Sequence, residues 1–135
     1  MAILRWSDSY SVNIGSIDKQ HKTLFDLINN FYDELKSRSR QENLLQLING
    51  LIEYTVIHFT NEEQYMKKYN YPDFGIHKIE HTKFINTIND YKERIKSGKL
   101  IISIEITNYL KSWISEHILI KDKQYSDFFV KNGVK

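Results

Sequence analysis

The chain has 135 residues, 41% of them hydrophobic and 27% charged, with a net charge of +2. That is one globular domain, long enough to bury a core without staples, and too evenly charged for a nucleic-acid binder. The absence of cysteine excludes disulfides, thiolate zinc sites and cysteine nucleophiles.

Residues 1–17 lack helical period but carry Trp6, Tyr10, Val12 and Ile14. They read as an ordered arm packed on the domain. The run "MAIL" is too short for a signal peptide. No apolar run approaches the ~18–20 residues that span a bilayer. The expectation is a cytoplasmic protein that neither enters membranes nor binds nucleic acid.

Four apolar stripes of helical period follow. The first, over 18–38, is His21, Leu24, Ile28, Phe31 and Leu35, with Asp18 as the expected N-cap. The second, over 40–69, is Leu44, Leu47, Leu51, Thr55, His58, Glu62, Tyr65 and Tyr69. Ser39 to Glu42 fits a capping box at its start, and Pro72 disfavours helix just beyond its end. The third, over 74–97, is His77, His81, Phe84, Ile88, Tyr91 and Ile95, stopped at Ser97-Gly98. The fourth, over 102–121, is Ile106, Leu110, Trp113, His117 and Ile120. "KLIISIEI" before it is rich in β-branched residues, but a lone strand has no partner, so it reads as helix. "DKQYSDFFVKNG" adds a short helical extension. The fold expected for 1–135 is all-α: an up-down-up-down antiparallel four-helix bundle with an N-terminal arm and a C-terminal extension.

All five histidines lie on these inward stripes. One such histidine is commonly a hydrogen-bonded core residue; five would need five separate partners. His58 and Glu62 are i, i+4, as are His77 and His81, so each pair shares a helix face. His117 and Asp122 are i, i+5, about 140° apart on an ideal α-helix. They converge only if the helix ends or is distorted there, and a π-bulge is one such distortion. His21 stands alone on the first helix.

Bundle-core metal sites are built from side chains on facing helices. Five imidazoles and two carboxylates exceed one tetrahedral ion and suit two octahedral ones. Five imidazole bonds, four from two bridging carboxylates and two from one bridging oxide or hydroxide leave one of twelve positions open. Imidazole with carboxylate suits iron among other first-row metals.

The lone His21, "HFTNE", "HKIEH" and "HILIKD", together with "QHKTLFDLIN", "YPDF" and "WISEHI", resemble the hemerythrins, within them the single-domain bacterial type. The likeness runs over nearly the whole chain. It implies two irons joined by an oxo or hydroxo group, one held by His77, His81 and His117. The other is held by His21 and His58 and keeps the open position, with Glu62 and Asp122 bridging. It also implies reversible dioxygen binding at that position, for storage, delivery or scavenging, by a protein that is not an enzyme. Nitric oxide or small anions are alternative ligands there.

Such a pocket must be apolar and dry, and Leu24, Phe59, Trp113, Ile114 and Ile118 are its expected walls. Tyr125, three residues past Asp122, is placed to hydrogen-bond a ligand. Two other readings stay open. A di-iron oxidase or peroxidase of ferritin type uses Glu-x-x-His motifs, and no histidine here has that glutamate. A gas or redox sensor needs a separate signalling partner. With no uninterrupted exposed apolar stripe, a monomer is expected.

Overall fold

The computed structural model describes residues 3–37, 41–97 and 104–135. Four helical rods form an antiparallel bundle, and no strand occurs among the described residues. They are α1 (Gly15–Lys36), α2 (Gln41–Lys68), α3 (Phe74–Lys96) and α4 (Ile104–Glu116). The last rod continues through a π turn (His117–Asp122) into α5 (Lys123–Lys131). Helix α1 packs on α2 and α4, and α2 packs on α3. The capping box at Ser39, the stop at Gly98 and most of "KLIISIEI" lie outside the described residues.

The N-terminal arm is ordered by specific bonds. The Asn29 side chain accepts from the amides of Ile3 and Leu4, each at 3.0 Å, and donates to the Leu4 carbonyl at 2.9 Å. Trp6 and Tyr10 pack edge-on against Phe25 of α1. Val12 and Ile14 are fully buried.

Helix α1 begins at Gly15, before Asp18, with Ile14 at the N-cap. Asp18 therefore does not cap it. Its carboxylate instead accepts from the Ser11 hydroxyl at 2.5 Å and the Val12 amide at 2.9 Å, tying the arm to the helix. Asp and Ser bond nearby backbone in several local geometries, so the residue type alone does not choose between a cap and a strap.

Helix α2 ends in a left-handed residue, Asn70 (φ 57°), and the Tyr71 amide returns to the Met66 carbonyl at 2.8 Å. The same return closes α5, where Gly133 has φ 81° and the Val134 amide reaches the Phe129 carbonyl at 3.1 Å. Both satisfy carbonyls that a helix end leaves without partners.

Two apolar clusters fill the bundle. The larger includes Leu24, Phe25, Ile28, Phe31, Ile48, Leu51, Phe59, Phe84, Ile88, Leu110, Ile114 and Ile118. The smaller joins Val12, Ile14 and Ile17 of the arm and α1 to Met66, Tyr71, Tyr125, Phe129 and Val134. The expected third stripe matches the buried residues of α3. The fourth needs correction at its end: Ile120 is 55% exposed, while Ile118 and Asp122 are buried. The π turn widens the helix by one residue, which rotates everything after His117 and turns Ile120 outward.

Candidate metal centre

A layer of buried polar side chains crosses the bundle: His21, His58, Glu62, His77, His81, His117 and Asp122. Each rod contributes for a local reason. In α2 and α3 the i, i+4 pairs stack on one face. In the fourth rod, the run from His117 to Asp122 is itself the π turn, which aligns residues five apart.

The donor atoms fall into two groups. His77, His81 and His117 form one with Glu62 and Asp122; His21 and His58 form the other with the same two carboxylates. Within the first, the His117 Nε2 stands 3.1 Å from the Nε2 of both His77 and His81. Asp122 Oδ1 lies 3.0 Å from His77 Nε2 and 3.1 Å from His117 Nε2, while its Oδ2 lies 3.0 Å from His21 Nε2. Glu62 is divided likewise. Its Oε1 is 3.4 Å from His81 Nε2, and its Oε2 is 3.5 Å from His58 and 3.6 Å from His21. Each carboxylate thus places one oxygen in each group.

These distances test the fit to metal. With bonds of about 2.1 Å, donors at right angles around one ion stand about 3.0 Å apart, and tetrahedral ones about 3.4 Å. The 3.0–3.1 Å spacings around His117 and Asp122 fit octahedral edges. The hydrogen-bond chemistry agrees. His58 Nδ1 donates to Gln20 Oε1 at 2.6 Å, and His81 Nδ1 donates to Glu63 Oε2 at 2.8 Å. In their neutral forms both rings therefore aim an Nε2 lone pair at Glu62. Lone pair against carboxylate is repulsive unless a cation lies between. One proton cannot serve three imidazoles and a carboxylate oxygen together. Both oxygens of Asp122, Oε1 of Glu62 and both ring nitrogens of His21 are buried without a hydrogen-bond partner. Groups so buried without compensation are costly.

With protons as the only cations, the site shows the same demand. Burial disfavours the imidazolium of His21, yet the adjacent carboxylates of Asp122 and Glu62 outweigh it and raise its pKa to about 9. His81 also rises to about 9 against burial, through Glu62 and Glu63. Burial dominates at His58, which falls to about 4. Glu62 is held below the usual carboxylate range although burial and Asp122 oppose it, because His58, His21 and His81 surround it. Asp122 is lowered, against burial, by His117, His21 and His77. Burial, then the two carboxylates, pushes the Tyr125 phenol up, and its hydroxyl donates to Glu62 Oε2.

The five expected pocket residues share the larger apolar cluster, four of them buried and Trp113 packed against it. Phe59 lies flat on the His81 ring, 3.6 Å between centroids, and Trp113 stacks on His117 at 4.4 Å. Both rings therefore press on imidazoles of the three-histidine group. Neither Gln20 nor Glu63 belongs to the seven-donor pattern in the sequence. The available signal was position, since each directly adjoins a donor, His21 or Glu62, on a helix.

Seven converging donors inside a four-helix bundle define a dinuclear metal-binding protein. The Hemerythrin HHE cation binding domain model matches residues 12–128, and the chain belongs to the hemerythrin family. It is 36% identical to a bacteriohemerythrin of Methylococcus capsulatus, covering 93% of this chain and 95% of that one. It is 32% identical to a bacteriohemerythrin of Clostridium acetobutylicum, covering 90% and 98%. A crystal structure of wild-type hemerythrin superposes with a TM-score of 0.87 at 31% identity, covering 93% of this chain and 97% of that one. The centre is accordingly a di-iron centre, and its function is dioxygen binding. No helix among the described residues is long and apolar enough to cross a membrane.

Proposed function

We propose that this chain binds dioxygen reversibly, as a store, carrier or scavenger rather than an enzyme, with the seven buried donors as its iron ligands. His77, His81 and His117 hold one iron. His21 and His58 hold the other, and Glu62 and Asp122 bridge. The observation that carries this reading is the division of both carboxylates, one oxygen toward each histidine group. Five donors would be within reach of one ion and four of the other, so the second ion would be left with a position for dioxygen. The irons supply the electrons that make dioxygen binding possible.

The protein's residues do the rest. The two carboxylates, shared by both donor groups, would hold the ions side by side and compensate their charge. The Tyr125 hydroxyl holds Glu62 in orientation and satisfies its inner oxygen. Leu24, Phe59, Trp113, Ile114 and Ile118 wall the open position and keep water away, which protects the bound gas from displacement. We place the protein in the cytoplasm as a monomer, with nitric oxide and small anions as competing ligands.

Visible spectra of the reduced protein under argon, then air, then argon, with iron assayed on the same sample, test this. Two irons per chain and an air-induced band that fades under argon support reversible binding. A band that persists, or sustained reductant-dependent consumption of dioxygen or peroxide, supports an oxidase or peroxidase instead. No iron after anaerobic reconstitution overturns the ligand assignment.

A further inference from the structure

The two groups of imidazoles differ in what lies behind them. Behind His58 is a neutral amide: Gln20 Oε1 accepts from its Nδ1 at 2.6 Å, with Asn61 Nδ2 donating to the same oxygen at 3.4 Å. Behind His81 is a carboxylate: Glu63 Oε2 accepts from its Nδ1 at 2.8 Å. Glu63 is 18% exposed and lines a groove of about 170 Å³ between α2 and α3, with Phe59 and His81 at its floor. Hydrogen bonds to an ionised acceptor are roughly twice as strong as neutral ones. A carboxylate behind a metal-bound imidazole also raises that ligand's basicity.

The Asn61 bond makes the Gln20 contrast sharper. An amide oxygen that already accepts from Asn61 has less electron density to lend to His58. Glu63 has no such competitor among the bonds observed. It follows Glu62 directly in α2, so one helical turn supplies both a bridging carboxylate and the partner of a facing imidazole.

We propose, building on the ligand assignment above, that Glu63 and Gln20 are a matched pair of positioning residues that make the two irons electronically unequal. Glu63 makes His81 the stronger donor and stabilises the oxidised form of the three-histidine iron. Gln20 orients His58 without adding charge, so the iron with the open position stays more easily reduced. The chain would thus make the closed iron the easier of the two to oxidise and the open iron the easier to keep reduced. The polarity is carried by two side chains outside the ligand set.

The test exchanges the partners. Midpoint potentials of the iron-loaded protein, set with chemical mediators, are compared for wild type, Glu63→Gln and Gln20→Glu. Glu63→Gln keeps a hydrogen-bond acceptor and removes the charge. It is expected to raise one of the one-electron potentials by about tenfold in the equilibrium, ~59 mV. Gln20→Glu is expected to lower one by a similar factor. Glu116→Gln is the control, since it removes an equal but exposed charge beside His117 with no hydrogen bond to a ligand ring.

A second readout needs no iron redox chemistry. In cobalt(II) titrations of the metal-free protein, Glu63→Ala and Gln20→Ala are each expected to weaken one of two binding steps by about 10–100-fold. Glu63→Gln should recover much of that affinity while its potential stays shifted, which a purely structural role does not produce. Equal shifts in Glu63→Gln and Glu116→Gln, or unchanged potentials in both exchanged variants, overturn the proposal. A wild-type protein that takes up no iron overturns the ligand assignment instead, so the two failures are separable.

Discussion

The two halves of the centre are made from the same chemistry and end up different. The three-histidine half takes an i, i+4 pair from α3 and a third imidazole from the π turn. Aromatic rings brace it: Phe59 on His81, Trp113 on His117 and Tyr125 with its ring 5.7 Å from His77. The two-histidine half takes one imidazole each from α1 and α2, set edge to face at 4.7 Å. One half gathers three imidazoles under aromatic rings, and the other gathers two. The lesson is that an open coordination position needs no special residue. In the proposed assignment it follows from the imidazole count alone: α1 and α2 give one each to their half, while α3 gives two and the π turn a third to the other.

The largest effect that would break this comparison is loss of a ligand. His117→Ala is expected to abolish the air-induced band, with iron assay falling below two per chain. His58→Ala should do the same to the band by removing an imidazole from the open half. A variant that retains two irons and a reversible band excludes that residue as a ligand.

Chelation comes next, because it returns both halves to opposed carboxylates and imidazoles. Iron present at a thousandfold over its Kd stabilises the fold by about 4 kcal/mol. Removing it is expected to lower the Tm by on the order of 10 °C for a chain of this size. Calorimetry with and without iron measures it.

A matched pair separates the two apolar clusters that enclose the layer. Ile118→Ala in the larger cluster and Met66→Ala in the smaller each cost about 2–5 kcal/mol of stability. Only Ile118→Ala is expected to raise the autoxidation rate, several-fold, in a spectrum followed over time. Equal autoxidation in the two variants removes Ile118 from the pocket wall.

The smallest expected effect is Tyr125→Phe. It leaves Glu62 Oε2 without its buried donor, at a cost of about 1–3 kcal/mol. Thermal or denaturant unfolding reads the loss, and iron stoichiometry should remain at two.

Much of this protein is legible in its sequence. Periodicity alone marks the rods, because an apolar stripe at 3.6 residues has one way to be buried in a bundle. The i, i+4 pairs in α2 and α3 were readable for the same reason. The i, i+5 spacing of His117 and Asp122 was readable as a demand for distortion, and the π turn meets it. Its cost to the stripe was not: Ile120 keeps α-helical phase in the sequence and faces solvent in the fold.

Tertiary structure decided what local pattern leaves degenerate. Asp18 had the right residue type for a cap, but the arm folding back made it a strap for Ser11 and Val12. Residue spacing put Phe59 and Trp113 beside ligands, and packing set their rings flat on His81 and His117. Gln20 and Glu63 carry no periodic signal at all. Their role exists only across helices, in distances of 2.6 and 2.8 Å that join α1 to α2 and α2 to α3. The sequence by itself determined which donors point inward, since helix geometry is local. Which oxygen faces which group, and what stands behind each imidazole, depended on how the rods pack, and packing is a property of the whole chain.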